Sequence, residues 1–449
     1  MNLDIKLFGD LETLDLLKNN VTSTEEVKKL MDEHDLVVDF FTTNTGEKFC
    51  TYTDSMLYEG VTLYTYEPDY YLYANILRKE WETPIVVCLG KISEANTESG
   101  TNLLGTFHYG ENAPDKINDK INELYESQLI GDYIWSKILS KGQVREGDRI
   151  FFVPSGAINR LAIENLPVSD SGITDIEVKR ISSLSEVNKL ERLYDKNDKC
   201  VTFGDIKFQE NSDKKDVRKL LNSDPDAILK RDLLSNNLPK VTPVLTNGIN
   251  TKFLKGENAN EMEFEKLSGD SPEILTFYTH GYNYEGVTLP DSSKDYLLGK
   301  NRTSTISKSE MGMFTSGLFL SEPKSDDVMT DGMLTAHEVS MCDLSNTSLV
   351  ILAACSSAIG SISPEGVYGL QRGFKIAGAG SILASLWDVD SDATNEFIAE
   401  FFRNYRNGET KQKSLIKAKE HIKTYKSKDA SRPVNWSDPY YWSGFILID

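Results

Sequence analysis

Two rhythms of apolar and polar positions run along this chain, and they predict its elements. Residues 1–35 mix apolar and charged positions at helical spacing, with a capping pattern at Ser23-Thr24-Glu25-Glu26. Strand-like runs follow at Leu36–Phe41, Tyr70–Leu77 and Pro84–Leu89. Ile117–Leu139 reads as one amphipathic helix carrying Trp135, and Arg149–Val153 as a short buried strand stopped by Pro154-Ser155-Gly156. A second, similar set opens near Cys200 with the strand VTFGDI. Helices are predicted over Asp213–Leu221 and Glu261–Leu267, then a strand over Ile274–Thr279 (ILTFYT). Leu349–Ala354 (LVILAA) and Ser381–Leu386 are further strands. Gln371–Ala377, Asp392–Tyr405 and Lys411–Tyr425 are helical, and Phe445–Ile448 closes the sheet.

Continuous apolar strands separated by helices predict an α/β fold with a mainly parallel sheet covered on both faces. The polar stretch Leu193–Lys199 separates the two sets, so domains are expected at 1–195 and 196–449. A Ser/Thr/Gly/Asp-rich insertion occupies residues 286–334, with apolar pieces at Tyr296–Leu298 and Met311–Leu320. An excursion of this length is either functional or disordered.

Charge narrows the partners. The 449 residues carry 69 acidic and 49 basic side chains, a net charge of −20. A surface of that sign argues against nucleic acid or an anionic membrane as a binding partner. Residues 1–195 hold 34 acidic against 19 basic residues, a net of −15, so the acidity belongs mainly to the first part. Phe374–Trp387, the longest mostly apolar stretch, is too short and too interrupted to span a membrane. The start MNLDIKLFGD lacks the layout of a signal peptide. Cys50, Cys88, Cys200, Cys342 and Cys355 form no CxxC pair, which fits neither a disulfide framework nor a zinc site. A cytoplasmic protein with free thiols is the expectation. No phosphate-binding, dinucleotide-binding or zinc-protease motif occurs, so no cofactor and no metal are expected.

Ligands of open parallel sheets bind at the carboxyl ends of strands. Two such ends here carry chemistry: ILTFYT runs into His280-Gly281, and LVILAA into Cys355-Ser356-Ser357-Ala358. A thiol is nucleophilic near neutral pH, and an imidazole can take its proton and return it to a leaving amine. Small residues beside both let a substrate backbone approach, and backbone N–H groups there can face an oxyanion. A cysteine at a strand end also serves as a small buried hydrophobe, so the residues by themselves leave both readings open. The other four cysteines sit in ordinary strand or loop contexts and read as structural.

Several segments together resemble one family. They are FFVPSGAINRLAIENLP, FYTHGY, and the stretch from DLSNTSLVILAACSSAIG through SPEGVYGLQRGFKIAGAGSILASLWDVDSDATNEFIAEFFRNY to DPYYWSGFILID. In order and spacing they are similar to the CHAT family of caspase-like cysteine peptidases, relatives of separases and caspases (clan CD), from about residue 22 to the C-terminus. The resemblance implies a non-catalytic caspase-like half, here 1–195, followed by an active half, 196–449. It implies Cys355 as nucleophile, His280 as general base, and the N–H groups of Gly281 and Cys355 as oxyanion donors. Protein substrates, an activating or regulatory protein partner, and a place in a bacterial regulatory or defence pathway follow from the same resemblance. This chain departs where the family more often has x-Thr-Gly after the cysteine. Ala358 stands at the glycine position, which would matter if a left-handed backbone were needed. A catalytically silent interaction scaffold is the rival reading.

Specificity is expected at Trp387-Asp388-Val389-Asp390-Ser391-Asp392. By resemblance to separases, Asp388, with Asp390 second, would line a pocket for an arginine side chain before the scissile bond, since a carboxylate pairs bidentately with a guanidinium. The aspartates equally suit the start of the following helix, where they cap it and complement its dipole. Glu365 and Gln371-Arg372 read as structural. His337, in LTAHEV, is expected on a helix with a polar outer face.

Overall fold

The computed structural model describes residues 23–52, 64–98, 114–169, 176–208, 241, 250–283, 308–321, 332–354, 357–358, 360–363, 366–426 and 435–449. The helix expected over Asp213–Leu221 and the apolar piece Tyr296–Leu298 lie outside these residues. The described chain falls into two compact units. One contains residues up to Glu191 with Ile422–Gly444 and Ile448–Asp449, and the other Arg192–His421 with Phe445–Leu447.

The first unit opens with α1 (Thr24–Leu30), whose capping box is formed as the sequence predicts. Glu26 N–H donates to Ser23 Oγ at 3.3 Å, and Ser23 N–H to Glu26 Oε2 at 2.8 Å. Strands β1 (Asp35–Tyr52), β2 (Tyr64–Arg78) and β3 (Ile85–Lys91) form an antiparallel meander. Residues 53–63 between β1 and β2 are fewer than the roughly dozen that a parallel crossover needs. The helix expected over Ile117–Leu139 is two helices, α2 (Pro114–Glu126) and α3 (Gln128–Lys141). Ser127 divides them because its hydroxyl accepts from Leu129 N–H at 3.3 Å and starts a new helix. β4 (Arg149–Val153) runs parallel to β1 and β5 (Glu177–Arg180) parallel to β4, giving the order β3-β2-β1-β4-β5.

Alternate positions of β1 serve two sides. Phe40 meets Trp135 and Phe152 edge-on, each at 6.2 Å between centroids, while Val37 joins Val27, Met31, Leu77 and Phe151. Arg78 and Asp148 are both buried and bonded to each other. The guanidinium also donates to Gly142 O at 2.9 Å and Gln143 O at 3.1 Å. Burial pushes the Asp148 carboxyl up, but hydrogen bonds from Arg78 and Arg145 N–H outweigh it and hold it below its ordinary value.

The second unit holds β6 (Cys200–Ile206), β7 (Thr251–Gly256), α4 (Glu261–Glu265) and β8 (Ile274–Tyr278). Next come β9 (Gly281–Asn283), α5 (Lys308–Thr315), β10 (Ser316–Phe319), β11 (Met333–Thr335), α6 (Ala336–Ser340) and β12 (Leu349–Ala353). β13 (Gly360–Ser363), β14 (Gly366–Gly369), α7 (Leu370–Ile376), β15 (Ser381–Ser385), α8 (Ser391–Arg406), α9 (Lys411–Thr424) and β16 (Phe445–Ile448) complete it. The order is β16-β15-β12-β8-β6-β7, and the pairs from β15 to β7 are all parallel, as the apolar strands predict. Phe203 stacks on Phe277 at 4.9 Å, with Phe264 and Phe374 against the same ring.

The described part of the insertion is ordered structure. Met311–Leu320 becomes the end of α5 and all of β10, and β9, β10 and β11 pair antiparallel in a three-stranded sheet. Gly312 lets α5 lie on the β13–β14 hairpin: a Cβ there would stand 2.4 Å from Tyr368 O and 2.6 Å from Ser361 Cβ.

Replacing Arg78 by methionine strands the Asp148 charge in the interior. Arg78→Met is expected to destabilise the first unit by about 3–5 kcal/mol at pH 7. Urea titration followed by hydrogen exchange in first-unit peptides measures this, and a loss under about 1 kcal/mol would show that water reaches Asp148.

Candidate active site

Strands β8 and β12 define the site. Their sequences, ILTFY and LVILA, are buried at every position, so neither has a polar face to turn toward water. They pair in parallel and in register, from Leu349 opposite Ile274 to Ala353 opposite Tyr278. Thr279 N–H continues the ladder with a 3.4 Å bond to Ala353 O. His280 follows the last residue of β8 by two positions. In the sequence Cys355 follows the last residue of β12 by the same two, and Cys355 lies outside the described residues.

His280 is 8% exposed. Its ring packs on Phe208, just beyond β6, with centroids 5.6 Å apart. Its carbonyl accepts from Phe319 N–H at 2.9 Å, and the neighbouring Thr279 hydroxyl donates to Phe319 O. Backbone and ring are thus held from two sides while Nε2 is buried with no hydrogen-bond partner. A buried nitrogen without a partner is uncommon, and it is the arrangement expected of a group whose partner arrives with a reaction. Burial pushes the imidazole down to about 4, which keeps it neutral at pH 7 and able to accept a proton. Gly281 opens β9 and lies opposite Leu318 of β10.

The chain beyond position 355 is tied to the end of β15. Ser385 Oγ donates to Ala354 O at 3.1 Å, and Ser385 N–H to Ser357 Oγ at 3.2 Å. Ala358 N–H donates to Ser385 O at 2.9 Å. Gln371 Nε2 adds a 2.8 Å bond to Ala358 O, so this side chain orders the loop. Arg372 lies 3.9 Å over the Tyr368 ring, and Glu365 lies outside the described residues. Ala358 is 1% exposed and has no left-handed backbone: among the described non-glycine residues only Gln143, Asn188 and Asp205 do. The added Cβ is packed and the backbone needs no glycine there.

Asp388 and Asp390 differ in their surroundings. Asp388 is exposed, just past the buried Trp387 at the end of β15. Asp390 is the N-cap of α8, with Oδ1 accepting from Asp392 N–H at 2.9 Å and Ala393 N–H at 3.1 Å. His337 is not on a polar outer face. It is buried in α6 with its ring 4.4 Å from that of Phe314, because α6 packs that side inward. A cavity of about 390 Å³, lined by Tyr194, Cys200, Thr251, Phe402 and Arg406, sits where β6 and β7 begin, the end of the sheet away from His280. The arginines there end α8 and complement its carbonyl end. Phe208 and Ser385 escaped the sequence reading, since a phenylalanine beyond a strand and a serine ending one carry no local signal.

The depressed imidazole fixes a pH dependence. The unfolded chain takes up a proton near 6.5 and the folded one only near 4, so stability is full above 6.5 and falls as pH drops toward 4. The decline from this one group is about 3 kcal/mol. The urea midpoint of the wild type should therefore fall more steeply between pH 6.5 and 4 than that of His280→Gln. Parallel profiles would show a solvated ring.

The comparisons with known proteins follow this geometry. The family model described as the CHAT domain matches residues 123–449. Tetratricopeptide repeat protein 28 of Mus musculus and that of Homo sapiens are each 32% identical over 116 residues, 26% of this chain. That segment spans only 4% of the length of either relative. Among solved structures, the Saccharomyces cerevisiae separase–securin complex covers 76% of this chain and 18% of its own, at 14% identity and a TM-score of 0.37. The Arg-specific cysteine proteinase gingipain R covers 75% of this chain and 67% of its own, at 9% identity and a TM-score of 0.30. With the domain matched over most of its length, the chain belongs to the CHAT domain family.

Proposed function

We propose that this chain is a cysteine endopeptidase in which Cys355 is the nucleophile and His280 the general base. The observation that supports this most is the in-register pairing of β8 with β12, together with the buried, unpartnered Nε2 of His280. In the proposed reaction His280 takes the Cys355 proton, and the thiolate sulfur attacks the scissile carbonyl carbon. The carbonyl π pair moves to oxygen, where the N–H groups of Gly281 and Cys355 stabilise it. The C–N bond then breaks, and the departing amine takes the proton from His280. Water, deprotonated by His280, attacks the thioester. The acid product leaves and the proton returns to sulfur. The packed Ala358 weakens the scaffold reading, because the departure from the family pattern leaves the loop intact.

Residues 196–449 form the active half in this reading, and 1–195 the non-catalytic one. Val153 and Arg180, which end β4 and β5, are followed by Pro154-Ser155 and Ile181-Ser182, with neither cysteine nor histidine. Its acidity suits it to docking a protein substrate or an activating partner. No described helix is long and apolar enough to cross a membrane. Action in the cytoplasm, within a bacterial regulatory or defence pathway, and activation by a partner or by processing of the insertion belong to the same proposal. Asp388 is proposed to receive a basic side chain before the scissile bond. Asp390, engaged as a cap, is the lesser candidate.

A panel of fluorogenic peptides tests both parts. Cys355→Ala is expected to abolish cleavage, and His280→Ala to lower kcat/KM by about 10²–10⁴-fold. A cysteine-reactive probe should label Cys355 in a His280-dependent way, and an intact fold without labelling would favour the scaffold. Asp388→Asn should lower kcat/KM for arginine or lysine peptides by about 10–100-fold and leave others unchanged. Cleavage only after leucine or aspartate would remove the basic pocket.

A further inference from the structure

We infer that Ser385 is a positioning residue that aims the oxyanion-binding N–H of the nucleophile's own peptide group. The inference rests on the peptidase reading above. Ser385 ends β15 and is 4% exposed. With its Oγ on Ala354 O, its N–H on Ser357 Oγ and its carbonyl on Ala358 N–H, it grips the chain on both sides of positions 355 and 356.

The bond to Ala354 has the chemical consequence. The carbonyl of one residue and the N–H of the next form a single planar group, and in a trans peptide they point in opposite directions. β12 lies between β15 and β8 in the sheet. A hydroxyl that draws the Ala354 carbonyl toward β15 therefore directs the N–H of the same peptide group toward the β8 side, where His280 and Gly281 follow. Oxyanion stabilisation depends on donors fixed before charge develops, so a hydrogen bond that fixes the peptide plane acts on the transition state. Ser357 and Gln371 complete the restraint, since a loop held at Ala354 alone could still turn beyond it.

A serine that merely satisfied the strand end would, on removal, loosen the loop and depress every reaction of the thiol together. A positioning serine separates two reactions. Alkylation by iodoacetamide needs the thiolate and no oxyanion site, whereas turnover of a peptide amide needs both. The test uses the full chain as wild type, Ser385→Ala and Ser385→Thr, with circular dichroism to confirm folding. Fluorogenic amides carry arginine, lysine, leucine or aspartate before the scissile bond. Ser385→Ala should lower kcat by about tenfold or more, leave KM and the Cys355 alkylation rate within about twofold, and be rescued by Ser385→Thr. If the alanine variant does not fold, Ser385→Cys, of similar size and a weaker donor, is read the same way. Unchanged kcat in Ser385→Ala would overturn the positioning role, as would equal losses in turnover and alkylation without rescue by threonine. Those results leave the peptidase reading standing. A wild type that cleaves no peptide and alkylates no faster than unfolded chain removes that reading, and the role of Ser385 with it.

Discussion

Parallel pairing of β8 with β12 is the constraint on which the site depends. Both strands are apolar and buried at every position, so the only hydrogen-bond partners for their backbones are each other and the strands alongside. A slip of one residue would shift one strand end by about 3.3 Å against the other and turn its side chains to the opposite face. The flanking strands lock the pair: Thr276 of β8 lies opposite Thr202 of β6, and Ile351 of β12 opposite Leu383 of β15. One register therefore sets the levels of Phe208, His280, Ala354 and Ser385 together.

The polar groups at this edge are spent unevenly. Ala354 and Ala358 have their backbone groups bonded to Ser385 and Gln371, as buried polar groups require. Nε2 of His280 stands apart, with Phe208 on the ring and no partner. His421, at the surface of the same unit, shows the ordinary solution, with Nε2 2.8 Å from Glu396 Oε1. The difference is solvation. A half-exposed histidine gains from a carboxylate, whereas a buried one stays neutral and keeps its lone pair available.

The sequence was legible where a side-chain pattern is local. The Ser23–Glu26 box, the apolar strands and α8 follow from spacing, and the strand ends at His280 and Cys355 from the small residues after them. Reading failed where a neighbour decides. Ser127 splits a helical stretch by capping, His337 turns inward because α6 packs against α5, and the insertion's apolar piece becomes a helix end and a strand by pairing with β9. Asp390 was legible as a cap and as a pocket residue alike. Its two bonds to backbone N–H groups give it the cap.

By itself the sequence determined the class of fold, the parallel core of the second unit, and the two residue types that could carry acyl transfer. Periodicity and chain chemistry act over a few residues, and those features need nothing more. Tertiary structure decided what lies beside what. Sheet order put β12 between β8 and β15, which brought Phe208 onto His280 and Ser385 onto Ala354. Desolvation of the imidazole and the grip on the loop are products of that adjacency. Both arise from groups far apart in the chain, and only the burial of apolar strands in one register joins them.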